Sequence, residues 1–192
     1  MTAQDPSNGY DAVAEDYIRA RSDAGAALVS AWAANLPVGA SVLDLGCGHG
    51  DPNMPVLLKA GLEVAAIDAS PSLLAAFQER YPCVEIACEP VQDSRFFERQ
   101  FDAILAVGLL FLLPENEPLS LIDKMSAALS SQGQVLFSAP LEQGSWEDLL
   151  TTRRSISLGE RAYKAALKDA GFVEIDSLTD QGGSHYYSAR KA

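Results

Sequence analysis

Five short runs of apolar residues are spaced through the middle of the chain, and each has the composition of a buried strand. The runs, such as SVLDL and FDAILAV, are nearly continuous in apolar character rather than alternating with polar residues. Continuous apolar character is typical of strands that are covered on both faces of a parallel sheet. The pattern therefore predicts strands over 41–45, 63–68, 84–87, 101–107 and 134–139.

Helical patterns separate these runs. One segment over 52–60 ends at a glycine, a second begins at Pro71 after the capping residue Ser70, and a third has an apolar stripe over 121–129. Capping residues before a helix and glycines after it are common helix boundaries. Strands that alternate with helices in this way predict βαβ units, and so an α/β fold with a mostly parallel sheet.

The two ends of the chain extend this pattern. Residues 10–36 read as two helices that are divided near Ser22, before the first strand. After the fifth strand, the segment beginning SWEDLLTTRR is predicted as a loop, followed by a helix over 158–170. Two strand-like runs joined by TDQGG then predict a terminal antiparallel hairpin. We interpret residues 1–192 as a single domain, with 1–39 as a helical cover and 40–192 as the core.

Composition limits the partners and the location that we expect. The 192 residues are 48% apolar, and 26 acidic against 14 basic side chains give a net charge of −12. Such a surface repels phosphate backbones and anionic lipids, so neither a nucleic acid nor a membrane partner is predicted. The three cysteines lack metal-ligand spacing, which favours a reduced, cytoplasmic protein without a metal. No signal peptide or membrane-spanning run is visible, and we expect a monomer or a weak homodimer.

The segment VLDLGCGHGDP, residues 42–52, is the most distinctive motif. Gly46, Gly48 and Gly50 stand at alternate positions between the first strand and the next helix. A glycine-rich turn lets a ligand approach the backbone, and the following helix N-terminus offers free N–H groups. A tight turn alone needs one glycine rather than three. The motif therefore predicts a binding site for a nucleotide-like ligand.

The charges around this turn select among nucleotide-like ligands. A dinucleotide fingerprint needs a third glycine where this chain has Asp51, and both Asp44 and Asp51 would repel a pyrophosphate. S-adenosylmethionine has an ammonium and a sulfonium group and no phosphate. Asp68, at the end of the second strand, is placed to accept hydrogen bonds from both ribose hydroxyls. The spacing and the charges favour S-adenosylmethionine over NAD.

Three motifs together, VLDLGCGHG, VAAIDASPSLL and FDAILAVGLL, resemble those of the class I (Rossmann-like) S-adenosylmethionine-dependent methyltransferases over roughly residues 40–190. The resemblance implies a three-layer, doubly wound, mostly parallel seven-stranded sheet of order 3-2-1-4-5-7-6 with the last strand antiparallel. It also implies an enzyme that uses S-adenosylmethionine as its cofactor. The chain end SHYYSARK is similar to that of small bacterial members of the family, and the chain resembles the methyltransferases of quinone biosynthesis more loosely.

The resemblance implies particular cofactor contacts. Asp44 and Gly46 correspond to residues that contact the methionine moiety, and Asp68 to the residue that holds the ribose. The loop ACEPVQDS after the third strand differs from the Gly-Asp-Ala type that frames adenine in the family. The complete set of predicted cofactor-binding residues is Asp44, Gly46, Cys47, Gly48, Asp68, Ala69, Cys88, Glu89 and Val107.

The acceptor is predicted to be a small molecule. The sequence AVGLLF after the fourth strand is unlike the Asn/Asp-Pro-Pro-Tyr signature for methylation of exocyclic amines of adenine or of glutamine side chains. Catalytic candidates are Tyr17 and His185, the latter because its usual pKa of about 6.5 suits proton removal. The predicted substrate-binding residues are Tyr10, Arg21, Phe111, Trp146, Arg153 and Tyr186.

Each of these side chains also has a purely structural interpretation, as a packed aromatic residue or a solvated ion pair. Two other functions stay open at this point. The first alternative is an oxidoreductase that binds NAD, and the second is a protein that binds S-adenosylmethionine without turnover.

Overall fold

The computed structural model describes residues 5–192, and its centre is a seven-stranded sheet. The strands are β1 (Ser41–Leu45), β2 (Glu63–Asp68), β3 (Glu85–Cys88), β4 (Phe101–Ala106), β5 (Leu129–Ser138), β6 (Gln143–Glu147), β7 (Arg154–Leu158), β8 (Phe172–Thr179) and β9 (His185–Lys191). The sheet order is β3-β2-β1-β4-β5-β9-β8, and β9 runs antiparallel to both of its neighbours. Because β6 and β7 lie outside this sheet, the order equals the predicted 3-2-1-4-5-7-6, and the predicted fold class is confirmed.

Helices connect the strands, and the two predicted over 52–60 and 158–170 begin and end within two residues of those positions. They are α1 (Ala14–Ala20), α2 (Ala26–Ala33), α3 (Asn53–Lys59), α4 (Pro71–Arg80), α5 (Glu117–Ala128) and α6 (Glu160–Asp169). Ser70 caps α4 as predicted, because its hydroxyl accepts a hydrogen bond from the Leu73 amide at 3.1 Å. Two single helical turns, Phe96–Glu98 and Leu110–Leu112, follow β3 and β4.

The start of β5 was predicted five residues too late. The apolar stripe of α5 was expected to include Leu129, whereas this residue is the first of β5 and pairs with Phe101. The pairing then shifts register before it resumes between Ala103 and Gln134. Leu129 is fully buried, so its apolar character fits a helix stripe and a strand equally well, and periodicity alone did not distinguish them.

The sheet is covered on both faces, as its apolar strands predicted. Val42 and Leu43 are neighbours in β1 with side chains on opposite faces, and both are completely buried. On one face, α6 packs Tyr163 against Phe137, whose ring also stacks on Tyr187 at 5.0 Å between ring centroids. Full burial of each such apolar side chain stabilises the fold by about 1.5–3 kcal/mol, so the sheet is a rigid support for the loops at its ends.

The β6–β7 hairpin corrects the prediction of a loop after β5. The two strands pair antiparallel, with Trp146 opposite Ser155. In β7 the sequence RSISL does alternate polar and apolar residues, but its buried side chains are Ser155 and Ser157. All five residues of β6 are exposed. The hairpin therefore lacks the buried apolar runs by which the other strands were recognised.

None of the helices formed by residues 5–192 has both the length and the apolar character needed to cross a lipid bilayer.

Candidate active site

A cavity of about 400 Å³ opens at the carboxyl ends of β1, β2 and β4. This is where ligands bind in open α/β sheets. The N-terminal segment, residues 5–21, covers it from one side, and the turn Leu110–Leu112 lies on another. The predicted site residues that line the cavity are Tyr10, Tyr17, Arg21, Gly46, Gly48, Asp68, Ala69, Val107 and Phe111.

The glycine loop presents its backbone to this cavity. Gly46 and Gly48 have φ angles of +69° and +57°, which favour glycine. A Cβ atom added to Gly46 would lie 3.2 Å from the Leu109 side chain, and one added to Gly48 would lie 3.3 Å from the Tyr17 ring. The loop is therefore a cradle that a larger side chain would partly fill, as close approach of a ligand to the backbone requires.

Asp68 at the end of β2 is held by the loops on either side of it. One carboxylate oxygen accepts from the Gly48 amide at 2.8 Å, and the other accepts from the Ser70 amide at 2.8 Å. Burial raises the pKa of Asp68, while these amide hydrogen bonds act in the opposite direction. Each carboxylate oxygen has a second acceptor position, so Asp68 is oriented to accept from two ligand hydroxyls.

Asp44 at the end of β1 is a buried carboxyl group without a complete set of partners. It is 2% exposed, and its Oδ2 atom has no hydrogen-bond partner among the described residues. Burial, together with the charge of Asp68, raises the pKa of Asp44 to about 7, although Arg21 acts in the opposite direction. An unpaired buried carboxyl is costly, and native structures seldom keep one without a function.

Arg21 brings a positive charge to the same end of the cavity. Its guanidinium lies over the Tyr17 ring, 5.9 Å from the centroid, and its Nε donates to the Asp51 carbonyl at 3.4 Å. No carboxylate of residues 5–192 lies within 4 Å of this guanidinium. Arg21 therefore lines the cavity as a positive group that is free to pair with an anion, and its charge acts on the buried Asp44 carboxyl nearby.

Hydrogen bonds attach the N-terminal segment to the core. The Asp11 carboxylate accepts from the Ser70 hydroxyl and the Ser72 amide, both at 2.8 Å, at the start of α4. On the opposite side, the Tyr10 hydroxyl donates to Asp148 at 2.9 Å, and Arg153 forms an ion pair with Asp5 at 3.0 Å. Nothing in the sequence spacing indicated Asp11 or Asp148, because their partners are 59 and 138 residues away.

Four predicted cofactor residues do not line the cavity, and one of them is the buried Asp44 described above. Cys47 is buried within the glycine loop. Cys88 and Glu89 were predicted to contact adenine, but the cavity is lined by the residues that follow them, beginning with Pro90 and Val91. The adenine contacts of Cys88 and Glu89 stay predictions.

Four predicted substrate or catalytic residues are also outside the cavity lining. Arg153 pairs with Asp5, and Trp146 packs against Phe111 with 5.6 Å between ring centroids. Tyr186 is 2% exposed and its hydroxyl donates to Asp180 at 3.3 Å. His185 lies at the start of β9, where its Nδ1 is 3.0 Å from the Thr179 hydroxyl. Their predicted roles stay predictions.

Asp51 corrects one step of the argument against a dinucleotide. Its carboxylate accepts from the Tyr81 hydroxyl at 2.5 Å and forms an ion pair with Arg80, and it does not line the cavity. The expected repulsion between Asp51 and a pyrophosphate was therefore wrong. The argument now rests on Asp44, which has no such compensation.

The sheet order, the glycine cradle and the two strand-end carboxylates define a Rossmann-like fold of the class I methyltransferase type. Residues 42–133, slightly less than half of the chain, match the family model described as a methyltransferase domain. The middle of the chain thus matches a methyltransferase domain, and the fold around it is of the class I type. No curated protein sequence matches it.

Many solved structures share this fold. A 1,6-didemethyltoxoflavin-N1-methyltransferase from Burkholderia thailandensis, crystallised with 1,6-didemethyltoxoflavin and S-adenosylhomocysteine, has a TM-score of 0.72 and 21% identity; the match covers 100% of this chain and 92% of that one. An amino pentose methyltransferase from Micromonospora echinaspora with bound S-adenosylmethionine has a TM-score of 0.71 and 18% identity, covering 94% and 96%. A magnesium protoporphyrin IX methyltransferase from Synechocystis PCC 6803, also with S-adenosylmethionine, has a TM-score of 0.65 and 18% identity, covering 96% and 80%. At these identities, the likeness is one of fold.

Proposed function

We propose that this chain binds S-adenosylmethionine in the cavity above β1, β2 and β4 and transfers its methyl group to a small-molecule acceptor. The observation that carries the proposal is the unpaired, buried carboxyl of Asp44 next to the glycine cradle. A buried group of this kind needs a cationic partner, and the cofactor of the structurally similar methyltransferases provides an ammonium group.

The charges of the cavity fit the amino-acid end of that cofactor. Asp44 would pair with its ammonium group and Arg21 with its carboxylate, while Gly46 and Gly48 allow close approach. Asp68 would accept from the ribose hydroxyls through the two acceptor positions that its amide partners leave free. Arg21, which the sequence assigned to the substrate, is thus better placed for the cofactor.

The chain's own contribution to methyl transfer is orientation and exclusion of water. When bound, the cofactor supplies an electrophilic methyl group on a sulfonium. The N-terminal segment, with Tyr10 and Tyr17, then holds the acceptor in line at about 3 Å and excludes solvent. Burial raises the pKa of both tyrosines, so they stay protonated and act as hydrogen-bonding and cation-attracting groups rather than as bases. The N-terminal segment would thus serve as the lid of a single domain.

The cavity also limits the acceptor. Its volume of about 400 Å³ is near the lower end of the usual range of about 300–1,000 Å³ for small-molecule sites, so the acceptor that shares it with the cofactor is small. Arg21 is the one cationic side chain among the described residues that line the cavity, against four carboxylates. With Arg21 paired to the cofactor, an anionic group on the acceptor would be buried without a partner. We therefore propose an acceptor that is neutral or carries an amine.

Calorimetric titration with S-adenosylmethionine, S-adenosylhomocysteine and NADH tests the cofactor assignment. The first two ligands are expected to bind, and Asp68→Asn should weaken both by more than about tenfold, because hydrogen bonds to a charged acceptor contribute about 1.5–3 kcal/mol each. Asp176→Asn is the matched control, since Asp176 is exposed on β8. Binding of NADH alone, or unchanged binding by Asp68→Asn, would contradict the proposal.

Transfer of a radiolabelled methyl group tests turnover separately. Matched sets of small phenols, amines and thiols with neutral, cationic and anionic substituents are incubated with the protein and labelled cofactor. We expect methylated products from neutral or amine-bearing compounds. Cofactor binding without any transfer would favour the alternative of a binding protein, and transfer mainly to anionic compounds would contradict the acceptor class.

A further inference from the structure

The N-terminal segment and the β6–β7 hairpin both lie outside the seven-stranded sheet, and the better buried of the polar contacts between them joins Tyr10 to Asp148. The Tyr10 hydroxyl donates to Oδ2 of Asp148 at 2.9 Å. Oδ1 of the same carboxylate accepts from the amides of Leu150 and Thr151 at 3.0 and 2.8 Å. These bonds lower the pKa of Asp148, so the carboxylate stays charged and its orientation is determined by the hairpin.

A series of aromatic contacts connects this hydrogen bond to the glycine loop. The rings of Tyr10 and Tyr17 meet edge to face, with centroids 5.4 Å apart and planes at 88°. Tyr17 in turn meets His49 edge to face at 5.8 Å and lies next to Gly48. Edge-to-face contacts of this kind contribute about 0.5–1.5 kcal/mol beyond burial, so the position of Tyr10 influences the side chain that covers the cradle.

We propose that Asp148 is a positioning residue: by binding Tyr10 it latches the N-terminal segment over the cavity and thereby sets how fast the cofactor enters and leaves. The inference rests on the proposed function, because it assumes that a cofactor occupies this cavity. The ion pair between Asp5 and Arg153, also between segment and hairpin, has both side chains more than a third exposed and contributes less.

A latch has a kinetic signature that a loss of binding contacts lacks. If the cofactor enters and leaves the cavity only when the segment is open, the association and dissociation rate constants are both proportional to the fraction of open molecules. Tyr10→Phe removes the hydroxyl and keeps the ring against Tyr17. We expect both rate constants to rise roughly tenfold while the dissociation constant changes less than threefold.

The experiment compares Tyr10→Phe, Asp148→Asn and the double variant with two controls. Asp148→Asn keeps an oxygen for the hairpin amides and removes the charge that Tyr10 binds. Tyr187→Phe and Asp102→Asn make the same chemical changes away from the cavity, where their groups contact Pro140 and Ser41. Association is followed by stopped-flow fluorescence, and dissociation by chasing radiolabelled S-adenosylmethionine with unlabelled ligand.

The double variant should be no faster than Tyr10→Phe alone, because both substitutions break the same bond. Rates that are unchanged in Tyr10→Phe, or additive effects in the double variant, would overturn the inference. A fall in affinity with no gain in association rate would also overturn it, since Tyr10 would then be a simple binding contact.

Hydrogen exchange in the unliganded protein keeps this test independent of cofactor binding. The amides of Tyr17 and Arg21 are hydrogen-bonded within the N-terminal segment. Their protection should decrease roughly tenfold in Tyr10→Phe and stay the same in Tyr187→Phe. If the wild-type protein fails to bind any cofactor but this protection still decreases, the proposed function is wrong and the latch is real. Unchanged protection shows that the latch is absent.

Discussion

If Asp44 pairs with the cofactor ammonium as proposed, cofactor affinity should depend on pH. Burial raises the pKa of this carboxyl to about 7 in the unliganded protein, whereas the cofactor ammonium needs the carboxylate form. Binding below pH 7 therefore requires loss of a proton from Asp44. By linkage, affinity should be about tenfold weaker at pH 6 and about 100-fold weaker at pH 5 than at pH 7.5. The comparison stops at pH 7.5, because an α-amino group itself loses its proton near pH 8.

Titration calorimetry with S-adenosylhomocysteine at pH 5, 6, 7 and 7.5 measures this dependence. In two buffers of different ionisation enthalpy, it should also show release of nearly one proton per ligand at pH 5.5. Asp44→Asn should bind more weakly at pH 7.5 and lose most of the pH dependence. A flat profile in the wild-type protein would refute the reasoning. If the affinity of Asp44→Asn still depends on pH, another group causes the dependence, and Asp68 is the first candidate since its pKa is also raised.

The buried Asp44 carboxyl should also lower the free energy of unfolding at neutral pH. The folded protein keeps the Asp44 proton up to about pH 7, while the unfolded chain releases it near the usual aspartate pKa of 3.8, so stability falls as pH rises between these values. The shift corresponds to at most about 4 kcal/mol. Asp44→Asn should therefore unfold at a higher temperature than the wild-type protein at pH 7.5, and the two proteins should become more alike towards pH 4.

Three further predictions concern neighbouring groups. Gly48→Ala should weaken cofactor binding more than tenfold in calorimetry, because its φ of +57° disfavours alanine and the new Cβ would lie 3.3 Å from Tyr17. Arg21→Gln should strongly weaken the binding of S-adenosylhomocysteine and leave the binding of 5′-methylthioadenosine, which lacks the amino-acid end, unchanged. Equal losses of affinity for both ligands would contradict the pairing of Arg21 with a carboxylate. Asp11→Ala should destabilise the protein by about 1 kcal/mol in urea unfolding, since it removes the acceptor of the Ser70 hydroxyl and the Ser72 amide at the start of α4.

The fold and the cofactor end of the site were predictable from the sequence because their signals are local. A buried parallel strand has a continuous apolar run, and a backbone cradle needs glycine at particular positions, as in Gly46 and Gly48. The position of Asp68 in the cavity was predictable for a similar reason, since a carboxylate at the carboxyl end of a parallel strand lies at the edge of the sheet where ligands bind in such folds. None of these inferences requires knowledge of distant contacts.

The acceptor end was harder to predict because it depends on contacts between distant parts of the chain. The Tyr10–Asp148 hydrogen bond joins residues 138 positions apart, and β6 has no buried side chain to mark it as a strand. His185 and Tyr186 were chosen for their chemistry on the last strand, but the cavity does not extend to them. Sequence patterns report which residues are buried, not which of two exposed segments will meet.

The cofactor end of the site lies on the sheet and the acceptor end on loop segments, and this difference bears on how the acceptor is selected. In the proposed complex, the cofactor would be held by backbone groups and by two carboxylates on strands of the rigid sheet, Asp44 and Asp68. Other walls of the cavity come from the N-terminal segment, the loop after β3 and the turn after β4. The β6–β7 hairpin supports the first and the last of these through Asp148 and Trp146. Loop segments tolerate changes that a buried sheet does not, because few buried contacts depend on them. Substitutions there should alter acceptor choice and cofactor exchange rates while cofactor affinity is retained, and for this reason similarity of fold does not identify the acceptor.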